Sequence, residues 1–128
     1  MKEKKYNDFR DLEMWQLCCQ IRRDIWNIVK TFPMEEKFRL TDQLVRASRS
    51  STACIAEGYG RYHYQENIQF CRQARGSLFE LIDHFTVAYE CEYISQENLE
   101  QNIFNIKLAI KKINGYIKYL QKRKSADG

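Results

Sequence analysis

The amino-acid sequence predicts an all-α protein, an antiparallel up-down four-helix bundle, and three observations lead to this prediction. Its 128 residues are 44% hydrophobic and 30% charged, the composition of one globular domain with its own core. One proline and five glycines leave too few breaks for a turn-rich β-sandwich. Apolar residues recur at steps of three and four, which predicts helices near residues 11–31, 35–59, 64–92 and 96–121.

The first helix is predicted by a single apolar face and by the proline that follows it. Pro33 should end the helix, because the residue before a proline is disfavoured in the helical region. The apolar face consists of Met14, Leu17, Ile21, Ile25, Ile28 and Phe32.

The second helix is distinguished by small side chains. Residues 47–54 (ASRSSTAC) are almost all small, which lets a neighbouring backbone come close. Gly58 and Gly60 then predict a C-terminal cap with a left-handed residue.

The third helix carries two apolar stripes. A helix that is apolar over so wide an arc must be covered on two sides, and a monomeric bundle is expected to cover one side. The sequence therefore predicts self-association through the second stripe and the small-residue face of the second helix. The first stripe is Ile68, Cys71, Leu78, Ile82, Phe85 and Tyr89, and the second is Phe70, Ala74, Ser77, Leu81 and Ala88.

The fourth helix is predicted to begin after Ser95, an N-cap residue, with Glu97 in its first turn. Its apolar residues then follow a strict heptad spacing, with the lysines outside it. We expect residues 1–10 to form a flexible segment, 11–121 the bundle and 122–128 a basic tail. The heptad residues are Leu99, Ile103, Ile106, Ile110, Ile113, Ile117 and Leu120.

Several functional classes are disfavoured by the sequence. It has no signal-peptide pattern and no apolar run of membrane-spanning length, so we expect a soluble cytoplasmic protein. Its five cysteines are odd in number, lack a CxxC motif and are expected to be small buried hydrophobes. Glu80 and His84 are four residues apart and occur once, whereas a di-iron bundle repeats a Glu-x-x-His pair. We therefore expect no enzymatic activity, no catalytic residue, no metal and no cofactor.

Glu57 and Arg75 interrupt otherwise apolar or small-residue stretches. A lone pair of this kind, without a nucleophile or a metal partner, has little to catalyse. We expect the two side chains to form a buried ion pair that fixes the register of helices or subunits.

Basic charge is concentrated near the C-terminus. Residues 101–128 contain seven Lys or Arg and one acid, a net charge of +6, whereas the whole chain has +4. Such clustering favours a polyanionic partner, and structured RNA is the first hypothesis. The candidate phosphate contacts are Lys107, Lys111, Lys112, Lys118, Lys122, Arg123 and Lys124, with Arg61 as a second group.

Tyrosines accompany cations in two places, a mixture used by proteins that bind single-stranded RNA. Tyr59, Tyr62 and Tyr64 surround Arg61 and His63, and Tyr116 and Tyr119 lie among the lysines of the fourth helix. Stacking on bases and packing between subunits both remain open for these rings.

An ordered set of motifs resembles a bacterial family, the four-helix-bundle proteins encoded in intervening sequences of 23S ribosomal RNA genes. Residues 53–61 (ACIAEGYGR) resemble that family's AxIAEGxGR segment, and residues 74–81 (ARGSLFEL) resemble its ARGSLxEL. The resemblance continues at residues 11–16 (DLEMWQ), 32–38 (FPMEEKF), 40–47 (LTDQLVRA) and 113–120 (INGYIKYL). The motifs run from about residue 11 to 120 in the family's order.

The resemblance implies a four-helix bundle that assembles as a homopentamer and has no known enzymatic activity. Related bundles are accessory proteins of diversity-generating retroelements, so a reverse transcriptase or a ribosomal component is a further possible partner. Two functions therefore stay open: an oligomer that binds ribosomal or retroelement RNA, and a protein-protein scaffold or accessory subunit without nucleic-acid contact.

Overall fold

The computed structural model describes residues 8–127, which contain four α-helices, three short 3₁₀ helices and no β-strand. The all-α, four-helix prediction is confirmed. Of the predicted flexible segment, residues 1–7 lie outside the described part, whereas Asp8 caps the 3₁₀ helix Phe9–Asp11. The α-helices are α1 (Glu13–Ile28), α2 (Leu40–Gly60), α3 (Tyr64–Glu90) and α4 (Gln96–Asp127).

The connection between α1 and α2 is longer than predicted. The 3₁₀ helix Val29–Thr31 continues α1, and Phe32 is extended before Pro33, as expected. Another 3₁₀ helix, Met34–Glu36, then precedes α2, which begins at Leu40 rather than at residue 35. The Glu36 carboxylate explains this start, because it accepts hydrogen bonds from the Leu40 N–H (3.3 Å) and the Tyr93 hydroxyl (2.8 Å).

In the turn between α2 and α3, the predicted left-handed glycine cap is not formed. Gly58 lies within α2 and is buried, and the residue with positive φ is Tyr62 (φ 61°). A Cβ at position 58 would lie 2.7 Å from the Phe70 Cβ and 2.9 Å from the Asn67 Oδ1. Gly58 is therefore required by the close approach of α3 and not by a left-handed helix end.

Contacts between α2 and α3 follow one register. The Ser77 hydroxyl donates to Ser50 (3.1 Å), and Cys54 Sγ lies 3.9 Å from the Gln73 side-chain oxygen. Residue numbers therefore rise along α2 as they fall along α3. The small side chains predicted to permit close helix packing lie at this contact and at the contact with α1, where Thr52 accepts a hydrogen bond from Arg22 (2.8 Å).

Both stripes of α3 are covered within one chain, which corrects the predicted self-association surface. Ala74, Leu81 and Ala88 of the second stripe are fully buried, and so is most of the first. The physical reason is that α3 packs between α2 and α4, so that each stripe has its own neighbour. On α2, Ala47, Ser48, Ser51 and Thr52 are likewise buried. These buried residues are therefore not available to a second copy, whereas Phe70 and Ser77 of the second stripe are half-buried.

Helix α4 has the predicted cap and heptad face. The Asn98 N–H donates to the Ser95 hydroxyl (3.1 Å), and five of the seven heptad residues are buried. The helix continues to Asp127, six residues beyond its predicted end, so that the basic residues 122–124 belong to its last turns. Within residues 8–127, no helix has both the length and the apolar character needed to cross a membrane.

The cysteines divide into two groups. Cys18, Cys19 and Cys71 are buried, as predicted, and burial raises the pKa of the Cys18 and Cys71 thiols to about 12. Cys54 is half-buried and Cys91 is exposed, so the prediction of five buried cysteines is wrong for Cys91. Cys91 lies just beyond α3, in the turn that contains Glu92 with positive φ (64°).

Candidate nucleic-acid interface

Four exposed lysines form a stripe along the outer face of α4. Lys107, Lys111, Lys118 and Lys122 follow one another at intervals of four, seven and four residues, which places them on one side of the helix. At 1.5 Å per residue, the stripe is about 22 Å long. None of the four forms an ion pair within residues 8–127, so their charges are not neutralised by this part of the chain.

The other predicted basic residues are partly engaged within the chain. Lys112 forms an ion pair with Glu13 of α1 (3.3 Å), and the Lys124 ammonium donates to the Gln65 side chain of α3. A hydrogen bond with Tyr64 raises the pKa of the Arg123 guanidinium. All three side chains remain exposed, so they extend the basic surface around the lysine stripe.

Arg61 is placed differently from the basic residues of α4. Its guanidinium forms an ion pair with Glu57 (3.0 Å), one helical turn earlier, and lies 5.3 Å from the centre of the Phe70 ring. Its charge is therefore partly neutralised.

Apolar side chains accompany the basic residues on the outer face of α4. Phe104, Leu108 and Tyr119 are exposed; the spacing places Phe104 at the edge of the lysine stripe, and Leu108 and Tyr119 between the stripe and Lys112. Exposed aromatic rings beside cations can stack on bases, and they can equally contact a protein partner.

The two predicted tyrosine groups meet at one end of the molecule. The turn after α2 and the last turns of α4 enclose a groove of about 480 Å³, which we call the tyrosine groove. It is lined by Tyr59, Tyr62, His63, Tyr64, Asn67, Tyr116, Tyr119, Leu120 and Asp127. The sequence had placed these rings in separate groups, because it does not show which helix ends lie together.

The rings of the tyrosine groove differ in exposure. Tyr59, Tyr64 and Tyr116 pack against the core of their own chain. Burial raises the pKa of Tyr116 to about 12, and its hydroxyl accepts a hydrogen bond from Asn67 (3.5 Å). Tyr119 stacks on Tyr116 with ring centres 5.8 Å apart, yet it remains half-exposed, and Tyr62 is 88% exposed. Among these tyrosines, Tyr62 and Tyr119 therefore present the large open ring surfaces to a ligand, and the imidazole of His63 is exposed beside them.

The predicted ion pair between Glu57 and Arg75 is not formed within the chain. Glu57 is exposed and binds Arg61, whereas Arg75 is half-buried and donates to the Asn114 side chain of α4 (2.7 Å). The register explains the difference, because Ser50 pairs with Ser77 and Cys54 with Gln73. Continuing that register places Glu57 at the level of Phe70, more than a helical turn from Arg75.

A second basic surface was not predicted. Arg22, Arg23 and Trp26 of α1 and Arg49 of α2 line a groove between the two helices, which we call the α1–α2 groove. The signal in the sequence was the four-residue spacing from Arg22 to Trp26, but nothing along the chain showed that Arg49 would lie opposite them.

Comparison with known proteins gives a family and a fold. The family model described as 23S rRNA-intervening sequence protein matches residues 10–115. A solved structure from Bacteroides thetaiotaomicron, described as a protein with unknown function from the S23 ribosomal protein family, has a TM-score of 0.75 at 22% identity. The similarity covers 82% of this chain and 95% of that one. No curated protein matches the sequence.

Proposed function

The chain belongs to the family of 23S rRNA-intervening sequence proteins, and from its exposed basic helix we propose that it is a non-catalytic protein that binds structured RNA. The surface that contacts RNA is the outer face of α4, with the cations at its C-terminal end. Phosphates are the groups recognised, and the bases play a smaller part. The chemistry is electrostatic binding, with no covalent step and no cofactor.

The observation that carries this proposal is the lysine stripe. Four lysines without an acidic partner repel one another, and this cost is offset when a polyanion lies along them. Their length of about 22 Å matches several successive phosphates of a nucleic-acid strand. Lys112 widens the same surface on the side towards α1, and Arg123 and Lys124 add cations at the C-terminal end of α4.

We further propose that the protein is an antiparallel up-down bundle that assembles as a homopentamer, the state implied by the family resemblance. Five copies would raise the net charge from +4 per chain to about +20, so that weak contacts add up. Because the buried faces of α2 and α3 are covered, subunits would meet through exposed apolar residues away from the outer face of α4, such as Phe79. Sedimentation equilibrium that returned only a 15.4 kDa species at micromolar concentration would contradict this assembly.

The RNA proposal is tested by a gel-shift titration with a structured RNA hairpin. The triple variant K111Q/K118Q/K122Q should bind with at least about tenfold lower affinity, because three phosphate contacts are lost. The matched control is K37Q/R39Q/R46Q, which removes the same charge from exposed positions at the start of α2. An unchanged affinity in the first triple variant, or an equal loss in the control, would contradict the assignment to α4.

The second candidate function is a protein-protein scaffold or accessory subunit without nucleic-acid contact, whose basic surface meets an acidic protein partner. As an accessory subunit, it would bind a reverse transcriptase or a ribosomal component. Phe104, Leu108 and Tyr119 favour it, because exposed apolar residues beside cations also occur at protein interfaces. Absence of RNA binding by the wild-type protein would select this function.

A further inference from the structure

The α1–α2 groove combines an aromatic ring, an apolar floor and clustered cations. Its volume is about 310 Å³, at the lower end of the range for small-ligand sites. Trp26 and Val45 supply apolar surface, and the stems of the arginines add to it. No acidic residue is among those that line it: Arg22, Arg23, Trp26, Asn27, Val45, Ser48 and Arg49.

Arg22 is held in place before any ligand binds. Its guanidinium donates to the Thr52 hydroxyl (2.8 Å) and to Cys19 Sγ (3.3 Å), and its side chain is half-buried. A guanidinium has five N–H donors, so donors remain after these two contacts. A fixed arginine loses less conformational entropy when it binds an anion than a free side chain does.

Trp26 is open to a ligand in spite of its cationic neighbours. The Arg49 guanidinium carbon lies 5.5 Å from the ring centre, and the Lys30 ammonium lies 5.7 Å from it. The ring is nevertheless 51% exposed, although a large apolar ring is more stable when covered. Arg23, Lys30 and Arg49 have no ion-pair partner among residues 8–127.

We infer that the α1–α2 groove binds one nucleotide of a single-stranded RNA segment, with the base on Trp26 and the flanking phosphates on Arg23 and Arg49. This inference rests on the proposed function and adds a second contact of a different kind. A base can lie flat on an indole ring only where it is unstacked from its neighbours, which excludes the interior of a duplex. The absence of acids in the groove matches the charge of the strand and disfavours a cationic ligand.

The test uses the full-length protein and a ten-residue oligouridylate, with tryptophan fluorescence and anisotropy as the measurements. The wild type should lose tryptophan fluorescence on binding, and Trp26→Ala should lose that response and bind about tenfold more weakly. Trp15 remains as the second tryptophan, packed on Phe9, and should respond little. Trp26→Phe should keep most of the affinity, whereas Trp26→Leu, which fills apolar space without an aromatic ring, should bind as weakly as Trp26→Ala; this pair separates loss of stacking from loss of packing.

Matched variants localise the effect. Phe38→Ala removes another exposed ring (84%) that lies beside a cation, with the Lys37 ammonium 5.3 Å from its centre, and should leave oligouridylate binding unchanged. Arg23→Gln and Arg49→Gln should each reduce the slope of log affinity against log salt by about 0.7. Arg46→Gln, one turn from Arg49 but already paired with Asp42 (3.6 Å), should reduce it less. Helix content, melting temperature and sedimentation are compared for every variant.

Three results would overturn the inference. The first is that Trp26→Ala binds oligouridylate as tightly as the wild type does. The second is that uridine monophosphate binds as tightly as oligouridylate. The third is that variants in the groove change self-association, or binding of an acidic peptide, instead of RNA binding. If the wild type still binds the structured hairpin through the lysine stripe in those cases, the proposed function stands. If the wild type binds neither RNA, the proposed function fails together with the inference.

Discussion

The contact between α2 and α3 and the outer face of α4 differ in what their side chains meet. In the first, small residues bring two helices so close that position 58 has no room for a Cβ. In the second, the four lysines of the stripe have no ion-pair partner within residues 8–127, and they lie beside the exposed side chains of Phe104 and Leu108. Both regions have unusual composition, yet the first is explained fully by the fold. Only the second leaves charges and rings that the fold does not use.

The largest effect should come from truncating the covered stripe of α3. Leu81→Ala removes a fully buried side chain and should lower the free energy of unfolding by about 2–5 kcal/mol. Leu108→Ala, on the outer face of α4, should cost less than about 1 kcal/mol. Urea unfolding measures both. A similar loss of unfolding free energy in both variants would show that Leu108 is covered as well. If Leu81→Ala changed the oligomeric state but not the unfolding free energy, the second stripe would be a subunit interface after all.

Glycine substitutions sharpen the same contrast. Gly58→Ala should destabilise the protein by about 1–3 kcal/mol, because the new methyl group meets Phe70 and Asn67. Gly76 and Gly115 lie inside helices, and a Cβ added at either position would have no neighbouring atom within 4 Å. Gly76→Ala and Gly115→Ala should therefore each stabilise the protein by about 0.5–1 kcal/mol. Thermal melting of the three variants gives the order. A stabilising Gly58→Ala would contradict the close approach of α2 and α3.

Alkaline pH should lower the free energy of unfolding through two thiols in the buried core. The pKa values of Cys18 and Cys71 are about 12 in the folded protein and near 9 when the chain is unfolded. Between these values the unfolded chain releases protons that the folded chain retains, so stability falls as pH rises. We expect a loss of about 1–2 kcal/mol per thiol between pH 8 and pH 10.

Urea unfolding at the two pH values, with Cys18→Ala and Cys71→Ala as comparisons, measures this loss. Each variant should show a smaller pH dependence than the wild type, because one raised pKa is absent. Cys91→Ala is the control, since that thiol is exposed. An equal pH dependence in all three variants would assign the effect to other groups, such as Tyr116.

The smallest effect should be at Glu57. Its exposed ion pair with Arg61 predicts that Glu57→Gln changes stability by less than about 0.5 kcal/mol. Arg75→Met should cost more, about 1–2 kcal/mol, because the half-buried hydrogen bond to Asn114 is lost. Thermal melting compares them. A loss of about 3–5 kcal/mol in both variants would restore the buried pair expected from the sequence, formed between subunits.

These contrasts also show how far the sequence could predict the structure. Heptad spacing, Pro33 and Ser95 are local signals, and the helix order and most of the buried residues follow from them. The start of α2 was misplaced, because its capping carboxylate, Glu36, is held by Tyr93 from a distant part of the chain. The role of Gly58 was missed for a similar reason, since its constraint comes from α3.

The candidate sites were predictable to the extent that they lie on one helix. The lysine stripe follows from spacing along α4 alone. The tyrosine groove and the α1–α2 groove each join residues from separate helices, and the Glu57–Arg75 pair failed because its register depends on how α2 meets α3. Two apolar stripes on α3 indicate two packing neighbours for this helix, but they do not show whether the second neighbour belongs to the same chain.

The salt dependence of RNA binding tests the central claim most directly, because it counts phosphate contacts. For a structured hairpin, log affinity should fall linearly with log salt concentration. We expect the slope of K111Q/K118Q/K122Q to be shallower than that of the wild type by about two to three, at unchanged helix content and melting temperature. An identical slope in the two proteins would contradict the account, because the lysines on the outer face of α4 would then make no contact with the RNA.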